Sequence, residues 1–279
     1  IEAYIVSLVK GRAEKDLSHL KIKQLKAPIL SAIEPVAEHF LLWLDAPEIA
    51  KAARPGQFIM VACGDDTFLP RPFSIHRAAD TRIAILFRVC GKGTKWLAQQ
   101  KMGGTLDIFG PLGNGFSIKP STKNVLLVGG GIGIAPMSFL ADSALAAGKK
   151  VIIIQGARTG SCLFPIDAPQ RIYDSGVMGA NFEVFNCTED GTEGFKGMAT
   201  QLVPHYLNGM DQVFACGPAP MYKAMARMPE LKNKDAQISL EIMMGCGTGV
   251  CYGCTIKTKN GLKQVCKDGP VFGLGEVGW

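Results

Sequence analysis

Long apolar runs are missing from this chain. No stretch approaches the roughly 18 residues of a membrane span, so no membrane anchor is expected in its 279 residues. Concentrated positive charge is missing too. The formal net charge is +6, but the basic residues are spread out, and the densest patch, Lys21, Lys23 and Lys26, is too thin for a nucleic-acid arm. There is no internal repeat and no low-complexity tract. The residues begin at Ile1 and not Met, with no secretory leader among them. An even cysteine count is also lacking: nine cysteines cannot form a fully paired disulfide framework. Without a leader they point to a reducing cytoplasm, where thiols serve metals or chemistry. Hydrophobic residues, at 47%, are enough for a packed core. The length allows two ordinary domains or three small ones.

What is present concentrates near the C-terminus. Cys246, Cys251, Cys254 and Cys266 read C-x4-C-x2-C-x11-C, inside the glycine-rich stretch 245–254. The first three match the tight loop that wraps a [2Fe–2S] cluster, and the fourth thiolate arrives from further on. Glycines let the backbone curl around a cluster and aim N–H groups at its sulfurs. The competing reading is structural Zn2+, which would make the segment an interaction module. Zinc sites usually pair two short C-x2-C knuckles, and only one occurs here.

Two further regions precede this module. From about Lys26 to Phe116 the chain reads as short strands, such as 39–44, 57–61 and 82–89, broken at Pro55-Gly56, Gly64-Asp65-Asp66, Ala79-Asp80 and Gly103-Gly104. Evenly spaced strands without a helical period suggest a small antiparallel barrel. After Lys119 a buried strand at 125–128, a glycine turn, a helix and a second buried strand at 151–154 imply a parallel sheet with right-handed crossovers. Segments 181–185 and 212–215 read as further strands of that sheet. The expected fold is therefore β plus α/β. Its divisions are an unassigned extension at 1–25, an antiparallel six-stranded-type barrel at 26–118, a Rossmann-like nucleotide domain at 119–236 and a cluster module at 237–279.

Gly129-Gly130-Gly131-Ile132-Gly133-Ile134-Ala135-Pro136 lies between strand and helix, where a pyrophosphate is met by free N–H groups and a helix dipole. The match to G-x-G-x-x-G is loose, and a structural tight turn competes with it. A second turn, Cys216-Gly217-Pro218, follows a parallel strand, a place where ligands collect in open sheets. For Cys216 two readings stand: a thiol against a nicotinamide ring, or a buried core cysteine. In Arg71-Pro72-Phe73-Ser74, the Arg suits a phosphate and the Ser a ring nitrogen or carbonyl. Gly91-Lys92-Gly93-Thr94 follows Arg88 but is not a Walker loop.

Together and in this order, the motifs resemble the ferredoxin–NADP reductase-like flavoproteins, and within them the electron-transfer subunits of class B dihydroorotate dehydrogenase. The resemblance runs from about Pro28 to Trp279, and its most distinctive part is Cys246 to Cys254 with Val265-Cys266-Lys267-Asp268-Gly269-Pro270-Val271-Phe272. The first ~25 residues exceed the length expected of such a subunit. The resemblance implies FAD held by Arg71, Pro72, Phe73, Ser74, Leu86, Phe87, Arg88, Gly93 and Thr94. It implies NAD(H) at Gly129, Gly131, Gly133 and Gly217, with Cys216 beside the nicotinamide, and a [2Fe–2S] cluster on the four cysteines. It further implies a catalytic partner subunit carrying FMN, in a heterotetramer serving pyrimidine biosynthesis. Converting dihydroorotate to orotate needs a (β/α)8 barrel of about 250 residues, for which this chain has no room.

Several points stay open at this level. Arg158 ends the strand after the glycine turn, and no acid accompanies it. That alone favours NADP, whereas the resemblance favours NAD, which is followed. Glu241 either fixes the cluster loop or is an ordinary surface carboxylate. Trp279 either stacks on the flavin, faces a partner or is simply exposed. Cys63, Cys90, Cys162 and Cys187 are read as buried small apolar residues. The small subunit of an NAD(P)H–ferredoxin oxidoreductase, built from the same three parts, is the alternative circuit.

Overall fold

The computed structural model describes residues 22–64, 67–166 and 181–279. The expectations for residues 1–21, including Lys21, and for Asp65 and Asp66 lie outside these. Six strands close an antiparallel barrel: β1 (Lys23–Val36), β2 (His39–Asp45), β3 (Phe58–Val61), β4 (Arg71–Ala79), β5 (Arg82–Arg88) and β6 (Thr105–Leu112), in the order β1-β2-β5-β4-β3-β6. Two short helices, α1 (Pro47–Ala52) and α2 (Lys92–Ala98), join them. The barrel differs from the sequence expectation at its start. β1 begins at Lys23, not near residue 26, and is 14 residues long. It serves two neighbours: its first half pairs with β6 and its second half with β2. Curling across a closed barrel needs such a strand, with register shifts to bend it.

A seven-stranded sheet follows, with β7 (Asn124–Gly130), β8 (Lys150–Ala157), β9 (Phe182–Thr188), β10 (Phe195–Lys196), β11 (Gln212–Cys216), β12 (Asp235–Ser239) and β15 (Val271–Gly273). Its order is β10-β9-β8-β7-β11-β12-β15. All neighbours are parallel except β15, which runs antiparallel to β12. Continuous apolar runs form β7 and β8 because both faces of a parallel sheet are covered. The helices are α3 (Ile134–Ala146), α4 (Ala199–Tyr206), α5 (Ala219–Ala226) and the short α6 (Val265–Asp268). The hairpin β13 (Thr255–Thr258) and β14 (Gly261–Gln264) stands apart. Because β12 spans Asp235–Ser239 and takes β15 as its neighbour, the expected division at 236/237 falls inside a strand.

Helix α3 is apolar nearly all round because it is wedged between barrel and sheet. Phe139 enters the barrel core, while Ile134, Met137 and Leu140 enter the sheet core. Polar contacts reinforce the same seam. His76 on β4 is fully buried and its Nδ1 is 2.9 Å from the Ala135 carbonyl, and Arg77 pairs with Asp142 at 3.1 Å. Burial drives the His76 imidazole pKa down to about 3, with the Arg77 charge adding to it, so it is neutral. Among the described residues no helix is long and apolar enough to cross a membrane.

Candidate functional site

The cysteine loop is held by main-chain hydrogen bonds that converge on sulfur. Gly249 N–H donates to Cys266 Sγ at 3.1 Å, Cys251 N–H to Cys246 Sγ at 3.4 Å, and Cys266 N–H to Cys254 Sγ at 3.4 Å. Thr248 N–H reaches Cys246 Sγ and Gly253 N–H reaches Cys251 Sγ, each at 3.5 Å. All four sulfurs named by the spacing thus accept from backbone amides, four of them in the 246–254 loop and the fifth that of Cys266 itself, in α6. Two glycines, Gly247 (φ +70°) and Gly249 (φ +83°), take the left-handed turns this requires. A Cβ on Gly247 would lie 2.7 Å from Cγ of Met60, so the loop is pressed onto barrel strand β3. The Cys246 thiol is held well below the usual range because the Cys266 thiol donates to it, with help from the amides, and Cys266 is raised for the same reason. A set of four soft donors, already ringed by N–H groups that favour negative sulfur, fits an iron–sulfur cluster.

Asn114, which sequence reasoning passed over, ties the segment that follows Cys266 to the barrel. Its N–H donates to the Gly269 carbonyl at 2.6 Å, and its side-chain amide to the carbonyls of Asp268 and Lys267 at 3.0 and 3.2 Å.

The residues expected to meet FAD fall into two groups. Arg71, Ser74 and Arg88 are part-exposed or exposed around one end of the barrel. Arg71 Nη1 donates to the Leu69 carbonyl at 2.7 Å, and its Nε would be 3.5 Å from a Cβ on Gly93. This sets the guanidinium against the first turn of α2, whose leading N–H groups lack intrahelical partners. The Thr94 hydroxyl turns inward and accepts from the Cys90 and Gly91 amides at 2.9 and 3.0 Å, so it shapes the turn. Leu86 and Phe87 are buried, on opposite faces of β5. Phe87 packs in the barrel core near Phe73, while Leu86 packs with the sheet core. Their side chains are structural, and only their backbone lies open to a ligand role. Pro72 pairs with Met60 on the neighbouring strand β3.

The glycine turn also divides. A Cβ on Gly133 would overlap the Cys216 carbonyl, and one on Gly129 would lie 2.8 Å from Cδ1 of Ile134. These two glycines serve close packing of α3 on the sheet. Gly131 has φ +55° and open space where its Cβ would be, so it is the member of the trio free to meet a ligand. Gly217 is crowded by Met221. It lines a cleft of about 350 Å³ with Pro218, Ala219, Tyr222, Glu241, Lys257 and Trp279. Cys216 is fully buried and is not among the cleft residues. Desolvation pushes its thiol up, and the Glu241 charge pushes the same way. Beneath the turn, Tyr222 Oη accepts from Gly217 N–H at 2.8 Å and donates to the Ser239 carbonyl at 2.5 Å. No sequence signal distinguished Tyr222 from any core aromatic.

Glu241 sits at the cleft rim. Desolvation raises its carboxyl and the Arg88 charge, beyond ion-pair distance, draws it back. Trp279 packs against Tyr222 at 5.5 Å, and its Nε1–H donates to the Leu274 carbonyl at 3.3 Å. Arg158 is exposed just past the end of β8. Of the unassigned cysteines, Cys63 and Cys187 are buried as expected, but Cys90 is exposed and Cys162 half-buried. Both lie in turns where no strand period forces a side chain inward.

Comparison with known proteins agrees with this geometry. Residues 241–278 match the family described as iron–sulfur cluster binding domain of dihydroorotate dehydrogenase B, and residues 127–227 match the oxidoreductase NAD-binding domain. The chain is 39% identical over 258 residues to the dihydroorotate dehydrogenase B (NAD(+)) electron transfer subunit of Caldanaerobacter subterraneus subsp. tengcongensis, covering 91% of this chain and 98% of that one. With the same subunit of Geobacillus kaustophilus it is 38% identical over 248 residues, covering 85% and 91%. Among solved structures, one described as NADH-dependent reduced ferredoxin-NADP oxidoreductase superposes with a TM-score of 0.80 at 29% identity, covering 92% of this chain and 91% of that one. The ferredoxin reductase of carbazole 1,9a-dioxygenase gives 0.63 at 22% identity, covering 76% and 67%, a likeness of fold.

Proposed function

Because this chain belongs to the electron-transfer subunits of dihydroorotate dehydrogenase B, we propose that it passes electrons between NAD(H) and an FMN-bearing catalytic partner, by way of FAD and a [2Fe–2S] cluster. When bound, FAD exchanges a hydride's two electrons with nicotinamide and the cluster carries them singly. The observation that carries this reading is the convergence of backbone amides on the four sulfurs of Cys246, Cys251, Cys254 and Cys266.

The roles assigned to the chain's own residues follow from where they sit. The barrel binds FAD: Arg71 and Arg88 neutralise its phosphates, the first turn of α2 at Gly93 and Thr94 offers main-chain N–H groups, and Ser74 hydrogen-bonds the ring. Pro72, Phe73, Leu86 and Phe87 shape that site through backbone and core packing. In the α/β domain, Gly131 meets the NAD(H) pyrophosphate, supported by Gly129 and Gly133. Gly217 presents main chain to the nicotinamide, and Cys216 lies beneath it as a neutral packing group. Glu241 lines the cleft beside Gly217 and Trp279. Phe68 and Met243, at 75% and 91% exposure, with Val250 and Tyr252, offer an apolar rim for the partner beside the cysteine loop. A heterotetramer of two copies of each subunit, working in pyrimidine biosynthesis, completes the assignment. The compartment proposed is the cytoplasm, since none of the nine cysteines is joined in a disulfide.

The purified chain is expected to contain flavin and acid-labile sulfide, to reduce artificial acceptors with NADH, and to leave dihydroorotate unoxidised until the FMN subunit is added. Orotate formation by the chain alone would refute the division of labour. A second reading draws on the superposition with the ferredoxin-NADP oxidoreductase chain. Co-purification separates the two, through a partner holding FMN or one rich in iron.

A further inference from the structure

Gly249 makes the shortest of the amide-to-sulfur contacts, 3.1 Å to Cys266 Sγ. It is also a glycine at φ +83°, the residue type with least intrinsic preference for any one conformation. Something must keep its amide aimed. The carbonyl of the same residue accepts a hydrogen bond from Gln264 Nε2 at 2.8 Å. Gln264 is itself fixed at the end of β14: it pairs with Thr255 across the hairpin, and its own N–H donates to Asp268 Oδ2 at 2.7 Å. A Cβ on Gly249 would be 3.0 Å from Gln264 Oε1 and 3.1 Å from Cδ of Lys267. The amide side chain therefore lies flat against the glycine and grips one end of it, while the other end points at sulfur.

We propose that Gln264 is a positioning residue that sets the reduction potential of the cluster by locking the Gly249 amide onto the Cys266 sulfur. This rests on the iron–sulfur reading above. An N–H donated to a ligating thiolate stabilises the extra negative charge of the reduced state and so raises the potential. Without the grip, Gly249 rotates and that stabilisation is lost. Gln264 touches no sulfur itself, which is why the cysteine spacing gave no hint of it.

The test is an EPR-monitored redox titration of the intact flavoprotein, wild type against Gln264→Met and Gln264→Asn, with acid-labile sulfide measured in each. Gln264→Met keeps length and leaves the charges of Lys263, Lys267 and Asp268 in place, so a change reports the hydrogen bond. The expected result is full sulfide content, altered g-values, and an oxidised-to-reduced ratio about tenfold higher at fixed ambient potential, which for one electron is about 59 mV downward. Gln264→Asn, with a donor one methylene shorter, recovers part of the shift. Wild-type sulfide with an unmoved potential in Gln264→Met overturns the proposal. So does loss of the cluster from both variants with flavin retained, since Gln264 would then be needed for ligation and not for aim. A wild-type chain without labile sulfide overturns the iron–sulfur reading, and this inference falls with it.

Discussion

The seven-stranded sheet and the cysteine module solve the same problem by different means. Strands β7, β8 and β11 bury apolar side chains on both faces, with Val125, Leu127, Ile153 and Phe214 fully excluded from water, and such burial suffices for a stable core. The module at 241–279 has strands of four, four and three residues and a four-residue helix. It also exposes large apolar side chains, among them Leu262 at 74%. Elements this short do not hold by propensity. Two of the residues at its centre, Cys254 and Cys266, are buried thiols. The difference teaches that the sheet is folded by its own burial, whereas the module borrows the sheet's core through Val265, Phe272, Leu274 and Val277 and is completed by the cluster proposed for its cysteines.

The largest effect that would break this contrast is at Cys254. Cys254→Ser should abolish iron and acid-labile sulfide and open 241–279 to limited proteolysis, while flavin content and the far-UV signature of the sheet persist. Iron at the wild-type level would show that Cys254 is no ligand. Next is Gly133→Ala, which forces a methyl into the Cys216 carbonyl. A backbone neighbour cannot swing aside, so roughly 3 kcal/mol of stability should be lost, read as a lower urea midpoint with the cluster retained. An unchanged midpoint would mean that the turn and β11 can separate freely.

The smallest effect sharpens the comparison at the seam between barrel and sheet, which has no stake in the cluster. Folded His76 stays neutral down to about pH 3, whereas the ordinary imidazole value is 6.5. Below 6.5 the unfolded chain binds a proton that the folded chain refuses. Stability is therefore full above pH 6.5 and declines as pH falls toward 3, by about 1.4 kcal/mol per unit. Urea unfolding at pH 7.0 and 5.5 should show this slope in wild type and not in His76→Gln. Equal slopes would remove His76 from the seam.

Much of this was legible where the chain obeys a local rule. The apolar runs at 125–128 and 151–154 form the buried strands expected of them, and the spacing of Cys246, Cys251, Cys254 and Cys266 favoured an iron–sulfur cluster over zinc. Other features depend on partners far away in sequence. The length of β1 follows from its two neighbours, and β4 opens with Arg71-Pro72, which reads as a turn until β3 is beside it. Gly129, Gly131 and Gly133 look alike as letters. Only the positions of Ile134 and Cys216 reveal that two of them serve packing and one faces open space. Leu86 and Phe87 carry the family pattern, yet their side chains belong to two different cores.

Strand β15 has a final consequence. It belongs to the module by sequence but zips onto β12, the strand that leads into Glu241 and the cleft wall. The sulfur loop and the cleft are thus mounted on one beam, and sliding either past the other would tear ladder hydrogen bonds. For the same reason the module should resist transplantation: grafted elsewhere, it would arrive with an unpaired edge and leave another behind.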